Sequence, residues 1–464
     1  MQEEWSGSLD LHVELDGGGG RRAGLERALR AAIRGGRLQP AERVPSTRAL
    51  AHDLGLARGT VAEAYSQLVA EGYLRTSPGA PTRVAAGLEP PPRRGDAGPA
   101  PDEPPRFDFR PGVPDVGAFP RAAWMRALRR ALADAPDRAL TGGDPRGRPE
   151  LRAALAGYLG RTRGVLADPD RIVVCAGYTQ ALGALCHALR DAGVRTVAME
   201  DPCLHHQRAV AASTGLRVAP LAVDGDGARP DALAAVAGAA VLTPAHQFPL
   251  GPTLAPERRA AFVARARDRG TVLVEDDYDG EFRYGRQPVG ALQGLAPDHV
   301  VYAGTSSKTL APGLRLGWLV LPARLVEPVL AAKRVYGDTQ VLEQLALAEL
   351  VRSGALDRHV RRMRQRYRRR RDALLATLAE RAPALRARGI AAGLHVVLDL
   401  PDGMREDDVV ARAAGRSLAV GVLGPFRHAP APGDPQGLVV GYAASPEHAY
   451  GQALAALGDV LAGG

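Results

Sequence analysis

Residues 305–317 read TSSKTLAPGLRLG and form the most informative stretch of this chain. Lys308 stands directly after a run of hydroxyl residues that includes Thr305 and Ser307, and Arg315 follows seven positions later. A lysine can form a Schiff base with an aldehyde, while hydroxyls and a planar guanidinium can hold a phosphate. The stretch therefore predicts a site for a molecule that carries both groups, and pyridoxal 5'-phosphate (PLP) is such a molecule.

The residues upstream support this prediction, since a lone lysine would be read as a solvated surface charge. The apolar run at 271–274 predicts a buried parallel strand, which delivers Asp276 and Tyr278 to the sheet edge where α/β proteins bind ligands. A carboxylate that is hydrogen-bonded to the pyridine nitrogen of PLP keeps that nitrogen protonated, so we predict Asp276 there and Tyr278 at the ring oxygen. The alternative is that the acidic residues cap the next helix or face water.

A second phosphate-binding element is predicted at residues 171–182, which are typical of a strand, a glycine turn and a helix. Gly177, Tyr178 and Thr179 would place backbone N–H groups and a hydroxyl at the helix N-terminus, an arrangement that suits a phosphate. His246 is predicted to line the cofactor pocket, although it could equally be a hydrogen-bonded histidine of the interior.

In their order along residues 107–461, these motifs resemble the fold-type I aminotransferases. Within that fold, the segments GDPRGRPELR at 143–152, TPAHQFPLG at 243–251 and EDDYDGEFRY at 275–284 resemble the MocR/GabR regulators. The resemblance implies an α/β, PLP-dependent, aminotransferase-like domain at 106–464. It also implies a homodimer with its cofactor sites near the interface.

Residues 22–84 carry a different pattern. Apolar residues recur at helical spacing from Leu25 to Ile33, and Ser46 offers an N-cap for a helix that runs through Leu54. A third helix is predicted to turn these residues inward: Val61, Tyr65, Leu68 and Val69. A turn and a short hairpin follow, so the order is three helices and a two-stranded wing.

This N-terminal segment resembles a GntR-type winged helix-turn-helix along its whole length, with Ala57 where a capping side chain usually precedes the recognition helix. The resemblance implies binding to a double-stranded DNA operator, with the recognition helix in the major groove and the wing at a neighbouring groove. The expected contacts are Arg43, Ser46, Thr47, Arg48, Arg58, Gly59, Thr60, Arg75 and Arg83. The alternative is that these arginines are ordinary solvated charges of an Arg-rich chain.

Composition and charge agree with more than one domain. The chain has 464 residues, of which 45% are apolar, and 60 basic against 51 acidic residues give a net charge of +9. This excess favours a polyanionic partner without proving one. The cysteines are odd in number and lack metal or disulfide spacing, so we expect a reducing cytoplasm and no metal site. We expect neither a secretory signal nor a membrane-spanning segment.

The predicted organisation has four parts. An N-terminal extension covers 1–21, the winged helix covers 22–84, a Pro-rich linker covers 85–105, and the aminotransferase-like domain covers 106–464. The linker contains three consecutive prolines and buries little, so it is expected to be an extended, semi-rigid tether.

Some positions depart from the aminotransferase pattern, and all of them concern substrate rather than cofactor. Gly142 and Leu204 replace expected aromatic residues, and Val439 replaces the arginine that clamps a substrate carboxylate in many aminotransferases. Arg427 lies near the position at which related regulators place an alternative carboxylate-binding arginine, and an exposed loop arginine is the competing interpretation.

The sequence thus predicts a cytoplasmic, PLP-binding transcription regulator whose aminotransferase-like domain senses PLP or a PLP–amino acid adduct. A second hypothesis is a working PLP-dependent aminotransferase with an appended DNA-binding domain. A third is a regulator whose pocket does not bind PLP. Efficient turnover is not expected, because the substrate contacts are sparse.

Overall fold

The computed structural model describes residues 20–86, 104–141, 143–285, 289–431 and 433–462. It divides into two compact units, residues 1–103 and 104–464. The predicted N-terminal extension and Pro-rich linker lie mostly outside the described residues, and Gly142 also lies outside them.

The first unit has the predicted order of three helices and a wing. Its elements are α1 (Arg21–Arg34), α2 (Thr47–Asp53), α3 (Arg58–Ala70), β1 (Leu74–Arg75) and β2 (Arg83–Val84). Ser46 caps α2, since its Oγ accepts a hydrogen bond from the Ala49 N–H at 3.2 Å. No side chain caps α3 at Ala57, as the sequence suggested. The wing strands pair antiparallel, and the 41–44 segment adds an edge through a bridge between Arg43 and Arg83.

A small apolar core holds these helices together. Its members include Leu25 and Leu29 of α1 and Val61, Ala64 and Leu68 of α3. Ala64 thus takes a buried position, whereas the predicted inward residue Val69 is only partly buried, because the helical stripe centres on positions 61, 64, 65 and 68.

The second unit contains a large and a small sheet with helices packed on them. Its first elements are β3 (Phe107–Phe109), α4 (Arg121–Asp134), α5 (Pro149–Arg163), β4 (Ile172–Cys175), α6 (Tyr178–Asp191), β5 (Thr196–Asp201), α7 (His205–Ser213), β6 (Arg217–Asp224), β7 (Gly227–Ala228), β8 (Ala239–Leu242), α8 (Pro256–Arg269), β9 (Val272–Asp277), β10 (Val300–Thr305) and β11 (Gly317–Val320). The remaining elements are α9 (Ala323–Lys333), α10 (Val341–Arg352), α11 (Ala355–Arg381), β12 (Arg386–Arg388), β13 (His395–Asp399), α12 (Glu406–Ala414), β14 (Leu418–Val422), β15 (Gly437–Gly441) and α13 (Tyr450–Ala462).

The large sheet has the strand order β4-β11-β10-β9-β8-β5-β6-β7. Strands β11 and β7 are antiparallel to their neighbours and the others run parallel, so the carboxyl ends of β4, β5, β9 and β10 lie at one edge. The predicted strand before Asp276 is β9, and its residues are all buried. This confirms the predicted α/β fold of the unit.

The small sheet has the order β12-β13-β15-β14-β3. Strand β3 is the first strand of the unit, yet it lies at the sheet edge, parallel to β14. Its connection toward α4 therefore starts beside the C-terminal part of the chain. Helices α11 and α13 contribute Tyr367, Leu374 and Leu457 to the core of this sheet.

A buried ion pair fixes the end of β9. The Nε of Arg163 on α5 lies 2.6 Å from the Oδ2 of Asp277, and the two side chains are 2% and 1% exposed. The Tyr302 hydroxyl donates to the same oxygen at 2.8 Å, and the Arg163 Nη1 donates to the Val289 carbonyl at 3.0 Å. Because each charge has several partners, the pair can remain ionised in the interior.

We expect Arg163→Met to lower the free energy of unfolding by about 3–5 kcal/mol, because it leaves the Asp277 carboxylate buried without a counter-ion. The measurement is urea unfolding of the purified variant. Arg161→Met is the matched control, since Arg161 lies on the same helix, is 56% exposed and pairs with Asp357. A surface pair of this kind should contribute less than about 1 kcal/mol. Equal destabilisation by both substitutions would contradict the assignment.

Candidate functional site

A cavity of about 690 Å³ lies at the carboxyl edge of the large sheet, where the small sheet meets it. Lys308, Asp276, Tyr278 and Thr179 line it from the large sheet and its loops, and Val420 and Phe426 line it from the small-sheet side. The sequence separated these residues by more than two hundred positions, and the parallel strands bring them together.

Lys308 follows β10 and extends along the cavity wall. Its Nζ donates a hydrogen bond to the Gly112 carbonyl at 2.5 Å. Burial lowers the pKa of this amine, although the carboxylates of Asp279 and Asp276 partly oppose that effect. A lysine with a lowered pKa is a better nucleophile toward an aldehyde.

The chain contains two lysines, Lys308 and Lys333. Lys333 is 2% exposed, its Nζ donates to the Pro145 carbonyl at 2.6 Å, and Asp338 lies 3.6 Å away. Lys333 therefore stabilises the loop at Pro145, and Lys308 is the lysine that lines the cavity.

Asp276 is the penultimate residue of β9 and lines the cavity. It is 4% exposed, and the Gln207 amide donates to its Oδ2 at 3.0 Å. Burial raises the pKa of Asp276 to about 7, while the hydrogen bond from Gln207 opposes that rise. The Tyr178 hydroxyl lies beside this carboxyl group, is buried, and forms no hydrogen bond of ordinary geometry. A carboxylate so placed would be stabilised by a cationic ring nitrogen.

The N-terminus of α6 and the nearby Arg315 form a candidate anion-binding site. Gly177 precedes the helix with φ 82°, and a Cβ there would lie 3.3 Å from the Cζ of Arg315. Arg315 itself adopts the left-handed region with φ 51°, and among the described residues its guanidinium has no hydrogen-bond or ion-pair partner. An unpaired guanidinium against free helix N–H groups fits a phosphate.

The predicted hydroxyls lie on the same side of the cavity. Thr305 and Ser307 both line it, and the Thr305 Oγ1 donates to the Ser307 Oγ at 2.9 Å. The Thr179 Oγ1 lies 3.3 Å from the Nε2 of His206, a residue that sequence reasoning missed. The position of His206, at the start of α7, depends on how α7 packs on α6.

Tyr278 and His246 form a pair behind the cavity wall. The Tyr278 Oη lies 3.1 Å from the Nδ1 of His246, and that nitrogen lies 2.9 Å from the Oδ2 of Asp279. Tyr278 lines the cavity, whereas His246 is 3% exposed and is not among the lining residues. The geometry thus favours the interior alternative for His246, which orients Tyr278.

Arg427 does not reach the cavity. Its Nη2 donates to the Pro435 carbonyl at 3.2 Å, and its Nε lies 3.6 Å from the Asp434 carboxylate. The turn at 434–435 draws the side chain away, so the suggested carboxylate role for Arg427 has no geometric support. Val439 is fully buried in β15 and does not line the cavity, while Leu204 does line it.

Arg208 was not predicted, yet it holds one wall of the cavity in place. Its Nη1 donates to the Phe426 carbonyl at 2.6 Å, and its Nη2 donates to the Arg427 carbonyl at 2.8 Å. The Cys203 N–H also donates to the Phe426 carbonyl, at 2.9 Å. These bonds connect the small-sheet loop to α7, and no sequence motif predicted them.

The first unit presents a set of unpaired arginines. Arg43, Arg48, Arg58 and Arg75 are exposed, and within the described chain their side chains form no hydrogen bond or ion pair. By contrast, Arg83 donates to the Ala41 carbonyl at 2.9 Å and stabilises the wing. The remaining predicted contacts, Thr47, Gly59 and Thr60, lie at the starts of α2 and α3, and Ser46 is used as a cap.

The described residues contain no group of three or more His, Cys, Asp or Glu side chains that could hold a metal ion. No helix among them is long and apolar enough to cross a membrane.

Comparison with known proteins agrees with this geometry. Residues 111–430 match the family described as "Aminotransferase class I and II", and residues 22–84 match "Bacterial regulatory proteins, gntR family". In structure, the chain is similar to LysN, an α-aminoadipate aminotransferase from Thermus thermophilus, with a TM-score of 0.68 and 26% identity. That similarity covers 77% of this chain and 92% of LysN.

Similarity to curated proteins extends across both units. The pyridoxine biosynthesis transcriptional regulator PdxR of Corynebacterium glutamicum is 33% identical over 94% of this chain and 95% of its own length. The probable rhizopine catabolism regulatory protein MocR of Rhizobium meliloti is 34% identical over 90% of this chain and 89% of its own. The chain therefore belongs to the MocR-type transcription regulators, which join a gntR helix-turn-helix unit to an aminotransferase class I and II domain.

Proposed function

We propose that this regulator binds PLP at Lys308 and uses the occupancy of that site to control its binding to an operator. The observation that carries the proposal is that Lys308 and the buried acid Asp276 line one cavity, while the unpaired Arg315 guanidinium lies against Gly177, directly before the lining residues Tyr178 and Thr179. An aldehyde, a pyridine nitrogen and a phosphate have complementary partners there.

Each residue would have a distinct task. Lys308 would carry the cofactor covalently through its Nζ, and Asp276 would hold a proton at the ring nitrogen. Arg315, the α6 N-terminus and the hydroxyls of Thr179, Thr305 and Ser307 would hold the phosphate. When bound, PLP supplies an electrophilic carbon and an electron-withdrawing ring. The Tyr278 hydroxyl, oriented by His246, would donate to the ring oxygen.

The relatives support both the cofactor and the sensing role. PdxR is named for control of pyridoxine biosynthesis, and LysN was solved with N-(5'-phosphopyridoxyl)-L-leucine. The first relative suggests PLP as a signal, and the second shows that this fold can hold an amino acid joined to the cofactor. Val439, which lies inside the small sheet, argues against efficient turnover, because it removes the expected substrate clamp.

We further propose that the protein acts as a homodimer. Large apolar side chains are exposed in the second unit, including Val116 at 46%, Met125 at 45%, Leu132 at 52% and Val335 at 83%. A second copy could cover such residues, and two winged helices would then suit paired or direct operator half-sites. Light scattering on the purified protein would measure the state directly.

We expect Lys308→Ala to abolish the covalent PLP label that borohydride fixes on the wild-type protein. Peptide mass spectrometry after reduction is the measurement, and the two lysines make the result unambiguous. Lys333→Arg is the matched control and should keep the label on Lys308. A label on Lys333, or a label that survives in Lys308→Ala, would show that the cofactor site is wrong.

We expect Arg48→Ala and Arg58→Ala each to weaken operator binding roughly 5- to 100-fold, because each removes a phosphate or base contact. Binding is measured at fixed salt with a duplex selected from random sequences. Arg22→Ala is the control, since Arg22 lies on α1 and pairs with Glu26 at 3.1 Å and with Glu63 at 3.3 Å. The PLP spectrum should not change. Unaltered affinity in both test variants would count against the groove assignment.

We expect PLP to change operator affinity by a coupling of about 1–3 kcal/mol, which is roughly 5- to 150-fold. The operator must then change PLP affinity by the same factor, since coupling is reciprocal. Two titrations measure this: operator binding with and without PLP, and PLP binding with and without operator. Equal affinities in both, or rapid keto-acid production from a common amino acid, would favour the aminotransferase hypothesis instead.

A further inference from the structure

The residues after β3 form a wall of the cavity that leads directly to Lys308. Arg110, Pro111, Gly112 and Val113 all line the cavity. The Gly112 carbonyl accepts the hydrogen bond from the Lys308 Nζ at 2.5 Å. A side chain on this wall is therefore close to whatever binds at that amine.

Close packing fixes the position of this segment. A Cβ at Gly421 of β14 would lie 2.6 Å from the Cδ of Pro111. A Cβ at Gly441, which ends β15, would collide with the Arg110 carbonyl oxygen. Only glycine allows the wall to approach the small sheet so closely, so Arg110 is held at one place at the cavity mouth.

The Nε and Nη2 of the Arg110 guanidinium are hydrogen-bonded to Asp108, whereas its Nη1 is not. Its Nε lies 3.0 Å from the Asp108 Oδ1 and its Nη2 lies 2.6 Å from the Asp108 Oδ2. The Nη1 has no hydrogen-bond partner among the described residues. The side chains are 57% and 26% exposed, so the pair itself stabilises the fold little. Arg110 thus lines the cavity with part of its guanidinium uncommitted.

Apart from His395, the described residues of the surrounding small-sheet wall have no other polar side chain. Val420, Val422, Leu394 and Phe426 make most of this side of the cavity apolar. The residues at which a carboxylate-binding arginine was expected are either apolar, as Val439 is, or turned away, as Arg427 is. Arg110 is the arginine among the residues that line this side of the cavity.

We infer that Arg110 binds the carboxylate of an effector amine whose apolar part packs on the small-sheet wall. The effector class is thus an amino acid with an apolar side chain rather than a simple amine. This inference rests on the proposed binding of PLP at Lys308, because the amine of the effector would be directed to that site. Asp108 competes with the ligand for the guanidinium.

The test is a titration of the PLP-loaded protein, followed by its absorbance spectrum and by calorimetry. The probes are apolar L-amino acids, each with its decarboxylated amine, such as L-leucine with isoamylamine and L-norvaline with butylamine. The wild-type protein should bind at least one acid roughly 10- to 100-fold tighter than its amine, as a charge-assisted hydrogen bond predicts. Arg110→Met should reduce that ratio to about one.

Two variants make the result specific. Arg427→Met should leave the ratio unchanged, and Asp108→Asn should raise it, because it frees the guanidinium. All variants are first shown to carry PLP on Lys308 and to have wild-type unfolding midpoints. If PLP loads normally but no acid is preferred, or if Arg110→Met keeps the preference, the inference is wrong. Failure of PLP to load on the wild-type protein would instead overturn the proposed function.

Discussion

The buried contact between Arg163 and Asp277 is the constraint on which the cavity depends. It fixes the carboxyl end of β9, and Asp276 and Tyr278 take their positions from that end. A charge pair in the interior is stable only when its remaining hydrogen-bonding groups are also satisfied. Tyr302 and the Val289 carbonyl meet that need, so one strand end is held from α5, from β10 and from the loop after β9.

The cavity lies between two sheets, and hydrogen bonds to main-chain carbonyl oxygens keep the sheets close together. Arg208 connects α7 to the Phe426 loop, and Gly421 lets the segment after β3 approach the small sheet. The chemistry is divided between the two sides. The large sheet supplies Lys308 and Asp276, whereas the small-sheet side supplies a mostly apolar wall.

Much of the site could be predicted, because it lies in short contiguous motifs. Lys308, Thr179 and Arg315 lie beside strand ends and Asp276 lies in the last residues of β9, and a local pattern is enough to indicate such positions. The candidate residues that do not line the cavity are side chains whose direction depends on distant neighbours. His246 is drawn to Asp279, and Arg427 is drawn to Asp434, so neither lines the cavity.

From the sequence alone one can predict the two kinds of fold, the candidate lysine Lys308 and the capped start of α2. Each of these predictions uses residue types and spacings within short stretches of the chain. Tertiary structure decided the rest. Gly112 meets Lys308 across 196 positions of sequence, and the raised pKa of Asp276 comes from its burial. Burial and long-range contact are properties of packing, and no local pattern contains them.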